Sequence, residues 1–186
     1  MNENTALPIV ISGPSGCGKD TVVTELRKMD SSVALAISAT TRTPRGNEQD
    51  GVDYYFLEKD EFEEKIENDE FIEFVQYNGN YYGTLKSEVS RLAQEGKKCV
   101  LVIEVKGAAN IIAKYPDCLS VFLMPPSVDE LENRLRGRGT ESEESIAGRL
   151  KIAADEMERR SQYKFVVVND VLEDAVKQIY DIINNR

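Results

Sequence analysis

Short apolar runs alternate with amphipathic segments along most of the chain. The apolar runs are typical of strands buried on both faces of a parallel sheet, and the segments between them have the apolar spacing of helices that pack on a sheet. The predicted core strands cover residues 8–12, 33–38, 99–105, 119–123 and 165–168, with helices opening at residue 21 and covering 86–94 and 107–114. The pattern predicts an α/β fold with a parallel sheet core flanked by helices.

Two further helices are predicted in the C-terminal third. Thr140-Glu141-Ser142-Glu143 has the form of a capping box, so a helix is expected to begin there. Its buried face would carry Ile146, Leu150, Ala153 and Met157. The final helix would bury an apolar stripe made of Val171, Leu172, Ala175, Val176, Ile179, Ile182 and Ile183.

An acidic and aromatic segment, residues 47–80, interrupts the alternation. Its pattern predicts a strand at 53–56, a helix at 60–67 and a strand at 70–77, followed by a tight hairpin turn at Asn78-Gly79. In the second strand Phe71 and Ile72 are adjacent, so apolar and polar residues do not alternate regularly.

The composition indicates one compact water-soluble unit. The chain has 186 residues, of which 41% are hydrophobic. No apolar run is long enough to span a membrane, and the N-terminus lacks the features of a signal peptide, so we expect a cytoplasmic protein without membrane contact. The net charge of −10 argues against a nucleic-acid polymer as partner. A small anionic ligand remains compatible if the arginines are gathered locally.

Cysteine and histidine usage limits the chemistry. Cys17, Cys99 and Cys118 have no paired spacing, which predicts neither a disulfide framework nor a zinc site. The chain contains no histidine, so the usual general base and the Ser/His/Asp triad are excluded. The chemistry must depend on lysine, arginine, carboxylates and a hard cation.

The stretch from Gly13 to Thr21 has the spacing of a phosphate-binding loop. Gly13-x4-Gly18-Lys19 follows an apolar strand and precedes a helix, so backbone N–H groups and the helix N-terminus would face one anion. A glycine-rich turn that merely joins strand to helix would explain the glycines but not Lys19. Asp20 stands where a hydroxyl normally reaches Mg²⁺, and Thr21 carries the displaced hydroxyl.

A loop with two arginines follows the second strand. Pro44 keeps the backbone extended at Thr43, so Arg42 and Arg45 can approach one site from two sides. Two guanidinium groups suit a phosphate monoester. A solvated basic loop explains the same residues equally well.

Glu73 lies between Ile72 and Phe74 in a predicted strand. A carboxylate in that setting is more often on the solvent face. The functional alternative is that it accepts two hydrogen bonds from the N1–H and amino group of guanine. Glu104 would lie at the carboxyl end of a core strand, where ligands bind in open α/β sheets.

Arginines are concentrated between residues 134 and 149. Gly137 and Gly139 would hinge this segment, which carries Arg134, Arg136, Arg138 and Arg149. A hinged helical pair with arginines suits a lid over phosphates. The alternative is a solvated helical hairpin with Glu/Arg pairs.

In combination these features resemble the guanylate kinase family, whose members transfer the γ-phosphoryl group of ATP to GMP. The resemblance runs from Ile9 to about Ile183 and implies a P-loop kinase of purine nucleotide metabolism. It rests on Gly13-Pro14-Ser15-Gly16-x-Gly18-Lys19, Thr40-Thr41-Arg42-x-Pro44-Arg45, Gly51-x-Asp53-Tyr54, Phe71-Ile72-Glu73, Gly79-Asn80-Tyr81-Tyr82-Gly83-Thr84, Arg136-Gly137-Arg138-Gly139-Thr140 and Val167-Val168-Asn169-Asp170.

The resemblance implies roles for individual residues. The expected ATP site comprises Gly13, Pro14, Ser15, Gly16, Cys17, Gly18, Lys19, Asp20, Thr21, Arg138 and Asn169, with Asn169 near adenine. The expected GMP site comprises Ser38, Arg42, Arg45, Tyr54, Glu73, Tyr82, Thr84 and Glu104, of which Glu73, Thr84 and Glu104 read guanine. The expected catalytic residues are Lys19, Arg42, Arg138 and Arg149.

The implied organisation is a single domain with three parts. Residues 1–37, 85–135 and 150–186 form the core, residues 38–84 form a small mixed α+β insertion that binds GMP, and residues 136–149 form a helical lid. The expected substrates are ATP and GMP or dGMP, the expected cofactor is Mg²⁺, and the expected assembly is a monomer or homodimer.

Three positions depart from the family pattern. Asp20 replaces a serine, Val102 stands where an aspartate is usual, and Glu104 replaces a second aspartate with a longer side chain. Because Val102 removes a carboxylate and Asp20 adds one, we expect Asp20 to hold Mg²⁺ directly or through water.

Two alternative functions stay open on the sequence. A related P-loop kinase for another phosphorylated ribose would have no use for a base-reading Glu73. A catalytically weakened guanylate-kinase-like binding module would have a degenerate phosphate loop, whereas Lys19 and the loop glycines are intact here.

Overall fold

Two separate sheets carry the strands of the computed structural model, which describes residues 7–137 and 142–185. The strands are β1 (Ile9–Ser12), β2 (Val33–Leu35), β3 (Ala39–Thr40), β4 (Tyr55–Phe56), β5 (Phe71–Tyr77), β6 (Asn80–Leu85), β7 (Lys98–Val102), β8 (Leu119–Met124) and β9 (Phe165–Val168). The helices are α1 (Lys19–Met29), α2 (Lys59–Glu67), α3 (Lys86–Gln94), α4 (Val105–Lys114), α5 (Val128–Gly137), α6 (Glu143–Glu158) and α7 (Leu172–Asn184). None of these helices is long and apolar enough to cross a membrane.

The larger sheet is parallel and has the order β2-β7-β1-β8-β9. Its central strand β1 is buried on both faces, because Ile9 and Ile11 join one apolar cluster while Val10 joins the other. The first cluster includes residues of α1 and α7, and the second includes residues of α3 and α4. The predicted parallel sheet flanked by helices is therefore confirmed. Because β1 is the central strand, the chain leaves the sheet after Ser12 at the middle of the sheet's carboxyl-terminal edge.

The smaller sheet has the order β4-β3-β6-β5 and mixes parallel and antiparallel pairs. Strands β5 and β6 form a hairpin whose turn residues, Asn78 and Gly79, have φ of 48° and 79°. Both values match the predicted tight turn. The pairing shifts register between Phe71 and Glu73, which explains the irregular alternation at the start of β5.

Several predicted boundaries are wrong. The strand expected at 33–38 ends at Leu35, and Ala39–Thr40 pairs as β3 instead of lying in a loop. The strand expected at 99–105 ends at Val102, and α4 begins at Val105, before the predicted start at Gly107. In both places apolar residues stay buried beyond the end of the strand, Ala36 after β2 and Ile103 and Val105 after β7. The pattern therefore gives no signal where the strand ends.

Two predictions near the C-terminus also need correction. Helix α6 begins at Glu143, and its cap is Ser142, whose Oγ accepts a hydrogen bond of 3.3 Å from the Ser145 N–H. The expected cap Thr140 lies outside the described residues, as do Arg138 and Gly139. Val171 precedes α7 and is 50% exposed, so it is not part of the buried stripe.

Candidate active site

The loop from Gly13 to Gly18 joins β1 to α1 under tight steric limits. A Cβ atom on Gly13 would collide with the carbonyl oxygen of Leu123. Gly18 has a φ of 93°, in the left-handed region that favours glycine, and directly precedes the first residue of α1. The predicted strand, loop and helix are thus present, with the N-terminus of α1 at the loop.

Lys19 lies over this loop. Its ammonium group donates hydrogen bonds to the carbonyl oxygens of Gly13 at 2.7 Å and Pro14 at 3.0 Å. Cys17 of the same loop is fully buried, and its burial raises the pKa of the thiol. The loop therefore places a full positive charge beside its own backbone, where an anion can reach it.

A cavity of about 610 Å³ opens in front of the loop. The predicted ATP-site residues in its wall are Gly13, Ser15, Gly16, Gly18, Lys19, Asp20 and Thr21. Helix α6 contributes Arg149 and Glu156 to the same wall, and Arg149 donates a hydrogen bond to the hydroxyl of Ser15. Pro14, Cys17 and Asn169 are not wall residues of this cavity, and Arg138 lies outside the described residues.

A second cavity of about 250 Å³ lies beside the smaller sheet. The predicted GMP-site residues in its wall are Ser38, Arg45, Tyr54, Glu73, Tyr82 and Glu104. The two cavities share five wall residues: Tyr54, Tyr77, Val102, Ile103 and Glu104. They are consequently neighbouring parts of one cleft, and the carboxyl end of β7 lies between them.

Glu73 is buried, contrary to the usual expectation for a carboxylate in a strand. It is 6% exposed, and its Oε1 accepts a hydrogen bond of 3.0 Å from the buried hydroxyl of Thr84. Burial is the main cause that raises the pKa of Glu73 to about 7, with a smaller contribution from the nearby charge of Glu104, although hydrogen bonds from Thr84 oppose the shift. This carboxyl group is thus a hydrogen-bonding group held in an enclosed pocket.

Arg42 is also buried, but it faces Glu48 and is absent from the wall of the second cavity. Its Nη1 and Nη2 each donate to the Glu48 carboxylate at 2.9 Å, and Nη1 donates to the carbonyl of Thr43 at 2.7 Å. Glu48 also accepts from the backbone N–H of Arg45 at 2.7 Å. The Arg42 guanidinium lies 5.3 Å from the Tyr54 ring centroid, so Glu48 orients it beside a wall residue of the cavity.

The donors in the cleft fit a hard cation that is shared with a phosphate ligand. Within residues 7–137 and 142–185, no group of three or more His, Cys, Asp or Glu side chains could hold a metal ion on its own. Asp20 and Thr21 supply oxygen donors in the wall next to Lys19. Oxygen donors of this kind suit Mg²⁺, which usually keeps several waters and binds through one or two carboxylates and substrate phosphates.

Three residues of the site were missed by the sequence analysis. Glu48 fixes Arg42, Glu156 faces the larger cavity from α6, and Gly107 packs so closely that an added Cβ would lie 2.8 Å from Glu73 Oε2. A glycine in the first turn of a helix is a signal that could have identified Gly107. The two glutamates lie in an acidic chain and have no distinctive spacing.

Comparisons with known proteins match this chain to guanylate kinases over nearly its whole length. The family model described as guanylate kinase matches residues 5–186. A guanylate kinase of Halalkalibacterium halodurans is 45% identical over 183 residues, covering 98% of this chain and 90% of the relative. One of Fusobacterium nucleatum is 47% identical over 176 residues, covering 95% of each chain. The crystal structure of guanylate kinase from Anaplasma phagocytophilum matches with a TM-score of 0.76 and 30% identity, covering 98% of this chain and 87% of that chain.

Proposed function

Because the chain belongs to the guanylate kinase family, it transfers the γ-phosphoryl group of ATP to GMP, and we propose that the two cavities of the cleft hold these two substrates. The triphosphate of ATP binds on the loop from Gly13 to Gly18, and GMP binds in the cavity beside the smaller sheet. Because the two cavities share a wall, the phosphate of GMP would lie close to the γ-phosphate of ATP. The observation that carries this assignment is the buried Glu73 carboxyl group in the smaller cavity.

At the ATP end, backbone N–H groups of the loop and the Lys19 ammonium bind the phosphate oxygens. Arg149 contributes a second positive charge from α6, next to Ser15. Arg138 is assigned to the same task from the family resemblance alone. Together these groups stabilise the charge that spreads over the γ-phosphoryl oxygens during transfer.

At the GMP end, the phosphate is bound by Arg45 and by the hydroxyls of Ser38, Tyr54 and Tyr82, all of them in the cavity wall. Arg42, which Glu48 orients, lies beside Tyr54 and adds its positive charge near the GMP phosphate. These contacts aim a phosphate oxygen at the γ-phosphorus. The acceptor oxygen is already ionised near neutral pH, so the transfer requires no general base, which agrees with a chain that has no histidine.

Guanine is read by Glu73, which Thr84 orients, and by Glu104. In its ionised form Glu73 accepts hydrogen bonds from N1–H and the amino group, a pair of donors that adenine does not offer on that edge. Nothing in this set of residues reads the ribose 2′-hydroxyl. We therefore expect dGMP to be an acceptor as well.

Mg²⁺ would be held by Asp20, with Thr21 nearby, and by phosphate oxygens and water. When bound it neutralises phosphate charge. The three-part organisation expected from the resemblance is kept in this proposal: a core, a GMP-binding insertion at 38–84 and a lid at 136–149. All of the smaller sheet except Leu85, the last residue of β6, falls within residues 38–84, which supports this division.

Acceptor specificity tests the proposal. ADP production is measured with ATP, Mg²⁺ and each of GMP, AMP, CMP and UMP, for the wild type and Glu73→Ala. We expect turnover with GMP alone and a loss of about a hundredfold or more in kcat/KM for GMP in the variant, because a buried base-reading group is removed. Glu67→Ala is the control, since Glu67 is exposed on α2. Equal turnover of AMP, or an unaffected Glu73→Ala variant, would contradict the assignment.

A further inference from the structure

Asn169 follows β9 and is connected to three other elements. It is 6% exposed, and its backbone N–H donates to the carbonyl of Met124 at 2.8 Å. Its side-chain Nδ2 donates to the carbonyl of Cys17 at 2.8 Å. Its own carbonyl accepts a hydrogen bond of 2.9 Å from Arg134 in α5. The residue is thus fixed by its backbone, and its amide reaches into the phosphate-binding loop.

The hydrogen bond to Cys17 determines which way one peptide unit of the loop faces. In a planar trans peptide the C=O and N–H groups point in opposite directions. Because Asn169 holds the carbonyl of Cys17, the N–H of Gly18 is directed away from Asn169. Gly18 is a wall residue of the larger cavity, whereas Asn169 is not. The amide therefore favours the peptide orientation in which this N–H is offered to a ligand.

Packing at Gly18 also shows that the Asn169 amide lies directly against the phosphate-binding loop. A Cβ atom added to Gly18 would lie 2.5 Å from Asn169 Nδ2. The amide thus fills the space that a side chain at position 18 would need. One N–H of the amide is used on the loop backbone, and Asn169 is not among the wall residues of the larger cavity.

We propose that Asn169 is a positioning residue for the phosphate-binding loop, which it holds in the anion-binding conformation through Cys17, and that it contributes to ATP affinity by this route. The inference rests on the proposed function, because it takes the loop to be the triphosphate site. It differs from the contact with adenine that the family resemblance implies for Asn169. The two roles predict different responses to a phosphate chain that carries no base.

Inorganic tripolyphosphate separates the two roles. Binding of ATP and of tripolyphosphate is measured by calorimetry, with Mg²⁺ present, for the wild type, Asn169→Ala and Asn169→Asp. We expect Asn169→Ala to weaken both ligands by the same factor, about tenfold, because the loop carbonyl loses its partner and the peptide can turn. Asn169→Asp should weaken both further, since a carboxylate oxygen would face the carbonyl oxygen. The KM for GMP should stay unchanged in both variants.

The matched control is Asn184→Ala. Asn184 also donates its side-chain amide to a backbone carbonyl, that of Tyr180 at 2.9 Å, but it lies at the end of α7. Loss of ATP binding alone in Asn169→Ala, with tripolyphosphate unaffected, would assign Asn169 to adenine and overturn the inference. Unchanged binding of both ligands would overturn it as well. A wild type that binds neither ligand would instead refute the proposed ATP site. If Asn169→Ala does not fold, the uncharged Asn169→Ser carries the same comparison, because its shorter side chain gives up the hydrogen bond to Cys17 without adding a charge near the phosphates.

Discussion

Glu73 is a carboxylic acid whose ionisation is opposed by the fold. Its pKa is about 7 in the folded protein against 4.5 for an ordinary glutamate, and burial is the main cause. A buried group with a raised acid pKa stabilises the fold only while it is protonated in the native state. Its contribution is full at low pH and is lost as the pH rises through the folded pKa.

We expect the stability of the substrate-free protein to fall between about pH 4.5 and pH 7 because of Glu73 alone. The loss should approach about 3 kcal/mol relative to Glu73→Gln, which does not titrate. Urea unfolding at a series of pH values for both proteins measures it. A difference between the two that does not change with pH would contradict the raised pKa.

Glu48 fixes the orientation of the Arg42 guanidinium through an ion pair with two hydrogen bonds. In Glu48→Gln one acceptor of the guanidinium pair becomes a donor, so Arg42 loses its fixed orientation. We expect the KM for GMP to rise about tenfold while the KM for ATP stays unchanged. Steady-state kinetics gives both constants, and Glu67→Gln on α2 removes the same charge without touching the loop. An equal effect on both substrates would indicate a general loss of structure.

Asp20 tests the metal assignment. We expect Asp20→Ala to lower activity and to require a higher Mg²⁺ concentration for half-maximal rate, because an oxygen donor is removed. Asp20→Ser, which supplies the hydroxyl usual at this position, should recover part of the activity. Titration of Mg²⁺ at fixed ATP and GMP is the measurement. Unchanged activity of Asp20→Ala, or a loss of Mg²⁺ dependence, would count against the assignment.

At the level of elements, the sequence predicted the strands and helices well and their junctions less well. The run from Cys99 to Ile103 is apolar throughout, so nothing in it indicated that β7 stops at Val102. The burial of Glu73 was equally hidden, because the register shift after Phe71 changes which face the residue occupies. The phosphate-binding loop was predictable because its glycine spacing is local. The pairing of Arg42 with Glu48 and of Asn169 with Cys17 was not, since tertiary contacts leave no local pattern.

Helix α4 offers a prediction at this scale. Gly107 lies in its first turn, and a Cβ there would approach Glu73 Oε2 to 2.8 Å. We expect Gly107→Ala to raise the KM for GMP severalfold by displacing this carboxyl group. Stability should change little, because alanine gains helix propensity of about 0.5–1 kcal/mol that offsets the crowding. Kinetics and thermal unfolding test this, with Gly148→Ala in α6 as control, since a Cβ there would contact no other described part of the molecule outside its own helix backbone. A marked loss of stability with normal KM would contradict the prediction.

For the molecule as a whole, the two sheets contribute different walls to one cleft. The shared wall at Val102–Glu104 implies that a single ligand can occupy both cavities. An adenosine–guanosine dinucleotide with a polyphosphate bridge should bind about a hundredfold or more tightly than GMP, because its second end binds intramolecularly. Calorimetry measures this, with the diadenosine compound as control. Equal affinity of the two compounds would show that guanine is not read in the second cavity.

Because Cys17 is fully buried, the rate at which a thiol reagent labels it measures how often the loop opens. A thiol reagent can reach this side chain only when the loop that carries Cys17 opens. Burial also raises the pKa of the thiol, which lowers the fraction of reactive thiolate. Cys99 in β7 is also buried, with a pKa raised to about 12. The labelling rate of each thiol therefore reports how often its own part of the core opens. Nucleotide on the loop should slow the labelling of Cys17 more than that of Cys99.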